Sequence, residues 1–400
     1  MAEKPNILLI TGDYIRWDTI AGRSVCRTPS LNRVADEGVV FDRSYTPISL
    51  CCPARAALLT GSFPWHNGVY HQVHVPMSLN PDLAPDVRSY AQHLHGAGYR
   101  TGYVGKWHAS RERCALDLGY EFWRAPVQAC LTAEAKKRHR LEGVPPTLRN
   151  KELPYEVAER TEVTWPGGDR FPMWMSMRGS LEATQEYYIA KPGEESIREL
   201  ASQKDPWLLE IHFPEPHDPY KPLLQYLESY PAEEIELPDN YTSETFSSKP
   251  AFLAREASLW EELSDEEVRQ GLRHYYAYCE QLDSAIGVVL DALEKSGRAP
   301  STLVVCTADH GDSVGSHRVG SSCTSTTTRI RRCATEPPGI SVHRARVFPR
   351  GNGSTSISGI RTIPGSPRRH VREAGAPGVV DRAEAALPGS GAAEHSRAEP

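Results

Sequence analysis

Residues 6–13 read NILLITGD, a short β-rich apolar run that stops abruptly at Thr11-Gly12-Asp13. Three more stretches repeat the pattern. Arg100–Val104 stops at Gly105-Lys106-Trp107-His108, Trp207–Phe213 (WLLEIHF) runs into Pro214-Glu215-Pro216-His217, and Thr302–Cys306 (TLVVC) stops at Thr307-Ala308-Asp309-His310. Short buried strands separated by long helical stretches predict an α/β fold with a mostly parallel central sheet flanked by crossover helices. Ligands of such sheets bind outside the carboxyl ends of the strands. The four polar endings are therefore predicted to converge.

The chain has 400 residues, 39% hydrophobic and 24% charged, with a net charge of −6. That is the composition of a globular protein. Its apolar runs fall short of the ~20 residues of a membrane span and of the about 7–15 residues of a secretory core. The expectation is a cytoplasmic protein with no membrane partner. Nine scattered cysteines with no CxxC pair argue against a disulfide framework or a structural zinc site.

The average conceals a seam. Arg318–Pro400 holds 13 Arg and no Lys against six acidic residues, a balance of +7 that leaves −13 on Met1–His317. Gly, Pro and Ser make 28 of those 83 residues, and Leu, Ile, Val and Phe only 13, too few to offset the ordering entropy of a packed core. The reading is a catalytic domain over 1–317 and a disordered, low-complexity tail over 318–400. The tail lacks aromatic interleaving and the remainder is acidic, which argues against a nucleic-acid partner.

Within 1–317, Ser264-Asp265-Glu266-Glu267 reads as a capping box. Val268, Leu272, Tyr276, Cys279, Leu282, Ile286, Val289 and Leu293 then recur at helical steps until Gly297, predicting one long helix packed on the sheet. Residues 111–199, rich in Pro, Trp and charge, read as an insertion or extended loop system near the strand ends.

The chemistry concentrates in Ser49–Gly61, SLCCPARAALLTG. Pro53 near the start, Ala-Arg-Ala-Ala-Leu-Leu and Gly61 describe a short helix. Cys51 then sits just before the helix N-terminus, where unpaired N–H groups favour an anion, with Arg55 one turn on. These residues alone leave two readings open: a nucleophile at an anion site, or two packed cysteines ahead of a helix.

Cys-x-Pro-x-Arg followed by Leu-Thr-Gly resembles the signature of the sulfatases, in the alkaline phosphatase superfamily. Gly98–His108 (GYRTGYVGKWH) is similar to that family's second signature. The resemblance extends through Thr28–Phe41, Phe213–Tyr220 and Tyr275–His310. It implies an alkaline-phosphatase-like sandwich, incomplete at the C-terminus, and hydrolysis of sulfate esters to an alcohol and inorganic sulfate. It implies further that Cys51 is oxidised by a formylglycine-generating maturation enzyme and that the formylglycine hydrate is the nucleophile. Asp13, Cys51, Asp309 and His310 match the family's metal positions, for one divalent ion: Ca²⁺ first, Mg²⁺ or Mn²⁺ as alternatives. Arg55 and Lys106 would orient the hydrate and offset charge on the transferring group. His108 would act as base and His217 as donor to the leaving oxygen. No such role attaches to His66, His212, His274 or His317.

Two departures stand out. Where the family commonly carries a second acidic or amide metal ligand, this chain has Tyr14, with Asp18 nearby. Past Asp309-His310 the family carries a lysine, yet none follows Lys295 here. Together with the seam, this leads to the expectation that the family sequence stops near His317 and that the tail is out-of-frame translation. The alternative functions are a phosphonate monoester or phosphodiester hydrolase of the same superfamily, and an inactive truncated remnant.

Overall fold

The computed structural model describes residues 4–41, 43–75, 78–141, 156–164, 170–258, 260–319 and 344–347. The strands are β1 (Asn6–Gly12), β2 (Val39–Val40), β3 (Arg100–Lys106), β4 (Phe122–Val127), β5 (Glu156–Thr164), β6 (Arg170–Arg178), β7 (Trp207–His212), β8 (Thr302–Ala308) and β9 (Arg344–Val347). Seven form one sheet in the order β2-β9-β8-β1-β7-β3-β4, and β5 pairs with β6 alone. All four apolar runs singled out in the sequence are strands of the large sheet. They pair in parallel, with Leu9 opposite Glu210 and Val305, and Val104 opposite Ile211.

Burial on both faces explains why these strands read as continuous apolar runs rather than alternating ones. Leu8, Ile10, Val104, Leu209, Ile211 and Val304 point to one core. Tyr103 and Leu208 point to the other, as the two-residue period of a strand requires. The first core is closed by α1 (Pro29–Asp36) and two longer helices. The second holds Cys52, Ala56 and Leu59 of α2 (Cys51–Thr60).

The longer helices are α3 (Gln185–Ala201) and α4 (Asp265–Lys295). In α4 the Ser264 hydroxyl accepts from the Glu267 N–H while the Glu267 carboxylate receives the Ser264 N–H, the capping box expected. Gly297 adopts φ 70° just beyond the end. Ile286, Val289 and Leu293 meet Ile189, Ile197 and Leu200 of α3 over the sheet.

Residues 111–199, expected as an insertion, include β4, which extends the main sheet, and α3, which closes its core. The hairpin β5–β6 is the part that stands outside the sheet. Its charge-rich composition hides the Ile189, Ala190 and Ile197 stripe of α3. Of the tail, residues 318, 319 and 344–347 are described, and the rest of that expectation lies outside the described residues. Arg344–Val347, expected without structure, pairs antiparallel with β8, whose edge offers unpaired backbone donors and acceptors.

Candidate active site

Every strand that contributes does so from its carboxyl end. β1 delivers Asp13, whose N–H donates to the Glu215 carbonyl at 2.9 Å. β8 delivers Asp309, whose N–H donates to the Gly12 carbonyl at 3.2 Å. β3 delivers Lys106 and His108. Near its end, at an irregularity in the pairing with β4, Gly105 has φ 92° and an added Cβ would lie 2.1 Å from the His212 carbonyl oxygen, so the two strand ends approach as closely as only glycine permits. Helix α2 begins at Cys51 itself, earlier than the sequence suggested, and is capped after Thr60 by Gly61 at φ 63°.

The ligand atoms of Asp13, Cys51, Asp309 and His310 lie within 4.8 Å of one another, and all four residues are buried. His310 Nε2 is 3.4 Å from Cys51 Sγ and 3.6 Å from Asp13 Oδ1. Lys106 Nζ donates to Asp13 Oδ2, and Arg55 Nη2 reaches the same oxygen at 3.4 Å. Arg55 Nε stands 2.8 Å from Asp309 Oδ2 without the alignment of a hydrogen bond. The structure thus brings together Asp13, Cys51, Arg55, Lys106, Asp309 and His310.

Electrostatics follow from this crowding. Burial and the Asp13 charge push the Asp309 carboxyl up to about 6. Asp13 itself is held below its ordinary value: burial and Cys51 oppose, but Lys106 and Arg55 prevail. Burial also opposes ionisation of Cys51. Lys106 and His310, with His108 and His217 close by, nevertheless bring the thiol well below its ordinary value, which is the environment of a reactive cysteine. Burial and the Lys106 charge lower His108 to about 4, so it is neutral at pH 7.

Asp13 Oδ1 and Asp309 Oδ2 are buried without a hydrogen-bond donor. An unsatisfied buried acceptor costs about 1–3 kcal/mol, and a hard cation removes that penalty. Two carboxylates, an imidazole and the Cys51 position therefore fit a divalent ion favouring oxygen ligands.

His108 and His217 flank the cluster. His217 Nδ1 donates to the Asp218 carbonyl at 2.7 Å and lies 3.2 Å from the Asp218 carboxylate. His108 Nε2 pairs with His74 Nδ1 at 2.9 Å. Tyr14 sits at φ 68°, with its ring centroid 4.2 Å from that of His217 and 4.5 Å from that of His310. Asp18 is turned away, its carboxylate forked on the Arg16 guanidinium at 3.0 and 2.7 Å.

Sequence reasoning passed over His74, left Glu210 unmentioned and gave His212 no role. For the last two a signal existed: ionisable residues two apart in a fully buried strand share a face and must find partners there. Nothing in the sequence marks His74.

A sulfatase family model matches residues 5–332. Over 333 residues the chain is 26% identical to a choline-sulfatase of Rhizobium meliloti, spanning 78% of this chain and 58% of that protein. A phosphonate monoester hydrolase of Agrobacterium radiobacter superposes with a TM-score of 0.57 at 21% identity, over 86% of this chain and 67% of that one. A 2-O GAG sulfatase gives 0.53 at 19%, over 87% and 64%. At such identities the structural likeness is one of fold: the alkaline-phosphatase-like arrangement of a mostly parallel sheet flanked by helices. The chain spans between 52% and 64% of the length of curated relatives that match most of it. Among the described residues, no helix is long and apolar enough to cross a membrane.

Proposed function

The chain belongs to the sulfatase family, and we propose that it hydrolyses sulfate esters to an alcohol and inorganic sulfate at the Cys51 cluster. The observation that carries this reading is the set of four ligand groups, two of whose buried carboxylate oxygens accept no hydrogen bond. Asp13, Asp309 and His310, with the group at position 51, would hold one divalent ion, Ca²⁺ first. That ion would supply Lewis acidity at the nucleophile. Formylglycine made from Cys51 by a maturation enzyme would supply a hydroxyl nucleophile as its hydrate.

The chain's own side chains define the rest. Lys106 and Arg55 place two fixed cations beside Asp13 and Asp309, where charge on a transferring sulfuryl group would gather. His108, neutral at pH 7, can accept a proton next to position 51. His217 has its Nδ1–H tied to Asp218. Its protonated form would therefore present Nε2–H to the leaving oxygen, with the Asp218 carboxylate favouring the charge.

Side-by-side assays of an aryl sulfate, a phosphonate monoester and a phosphodiester test the reaction class. Faster turnover of the sulfate supports the proposal. Faster turnover of either phosphorus ester moves the assignment to the hydrolase alternative, and no turnover by formylglycine-bearing protein moves it to an inactive remnant.

A further inference from the structure

Beneath the cluster a second line of polar groups leads to Arg55, and its other members were assigned to no site from the sequence. Arg55 Nη1 meets His212 Nδ1 at 3.4 Å. His212 Nε2 meets Glu210 Oε2 at 2.9 Å, and the Tyr120 hydroxyl donates to Glu210 Oε1. Arg55, Glu210, His212 and Tyr120 are each 3% exposed or less. The Tyr103 ring lies 4.5 Å from the imidazole of His212 at an interplanar angle of 10°, which fixes its plane.

The donors decide the protonation pattern. A guanidinium can only donate, so His212 Nδ1 must accept. The ring's proton then sits on Nε2 and is given to Glu210. Burial, together with the nearby Arg55 and Lys106 charges, lowers the pKa of His212, which keeps the ring neutral and able to accept. The line thus begins in the core at Tyr120 and ends at Arg55, whose other edges face Asp13 and Asp309.

We propose that Glu210 and His212 are positioning residues that fix the tautomer of one imidazole and, through it, the orientation of the Arg55 guanidinium toward Asp13 and Asp309. The proposal rests on the sulfatase reading only for what Arg55 does next. Without an acceptor at His212 Nδ1 the guanidinium could rotate away from the carboxylates. Without Glu210, the ring can switch to the Nδ1–H tautomer and set donor against donor.

The test combines imidazole ¹⁵N NMR of the histidine-labelled full chain with kinetics. In the wild type His212 should show a protonated Nε2 and a bare Nδ1 at neutral pH, and Glu210→Leu should shift that signal toward the other tautomer. Loss of a supporting partner of this kind lowers activity about 10- to 100-fold. His212→Leu should show that loss in kcat, with KM within about threefold because uniform binding is untouched. His212→Asn, whose side-chain oxygen can take the place of Nδ1, should recover most of it, as should Glu210→Gln. A wild-type His212 protonated on Nδ1, or a folded His212→Leu with unchanged kcat, overturns the proposal. So does a His212→Asn variant no better than His212→Leu. Because the tautomer is read without turnover, failure of the sulfatase reading and failure of this one remain separate results.

Discussion

Two pairs of buried carboxylates, Asp13–Asp309 and Glu186–Glu215, meet the same problem and settle it differently. Around Asp13 and Asp309 the chain places two cations, Lys106 and Arg55, and leaves an oxygen of each carboxylate without a donor. Around Glu186 and Glu215 it places amides: Gln281 Nε2 donates to Glu186 at 2.8 Å and Gln185 Nε2 to Glu215 at 2.6 Å. Burial, then Glu186, drives the Glu215 carboxyl well above its ordinary value against the pull of Lys221, so protonation is favoured here where ionisation is favoured at Asp13. Buried acidity alone therefore does not mark a metal site. Nor does an unpaired oxygen, since Glu215 Oε2 also lacks a hydrogen bond; what marks one is acidity kept ionised by fixed cations.

Substitutions at each pair sharpen that contrast. The largest effect belongs to Asp13→Asn, which should lower kcat at least about 100-fold, on the scale of a lost transition-state electrostatic group. It should also abolish any rise in melting temperature that Ca²⁺ gives the wild type, since a ligand stabilises only the form that binds it. Glu186→Gln should leave that Ca²⁺ response intact. A preserved response in Asp13→Asn would break the comparison.

A third buried carboxylate, Asp283, separates structural from ligating roles. Its two oxygens accept the N–H groups of Ser30 and Leu31 at 2.8 Å each, capping α1 from α4. Asp283→Ala strands both donors and should cost about 1–3 kcal/mol in denaturant unfolding, with the Ca²⁺ response unchanged.

The smallest effect is expected at Glu215→Gln. Its folded pKa is raised, so the folded state holds a proton that the unfolded state releases above about 4.5. Wild-type stability from this group is present below that pH and is lost as pH rises through the folded value. Glu215→Gln should flatten that slope and lie within about 1 kcal/mol of the wild type at the low-pH end. An unchanged slope would mean that Glu215 is ionised in the folded protein.

Much of this was legible in the sequence because the four strands each end on the group they deliver. NILLITGD places Asp13 and TLVVCTADH places Asp309 and His310 with no tertiary information beyond the rule for strand ends. The capping box at Ser264 gave α4 in the same way. α3 was hidden, since Pro192 and its charged face mask the stripe that packs on α4. The tie between Glu210 and His212 was visible as a two-residue spacing, but the link onward to Arg55 joins residues 157 positions apart, and only the folded sheet brings them into reach. Tyr14 looked like a defective ligand. Its ring packs against both His217 and His310, a contact the sequence did not suggest.

The central claim is that position 51 is the reacting centre, and mass spectrometry of the Cys51 peptide tests it most directly. The full chain should be produced beside a formylglycine-generating enzyme that converts a control sulfatase in the same cells. The account predicts an aldehyde in place of the Cys51 thiol, with Cys52 unmodified. An intact thiol at Cys51, with the control fully converted, would contradict it.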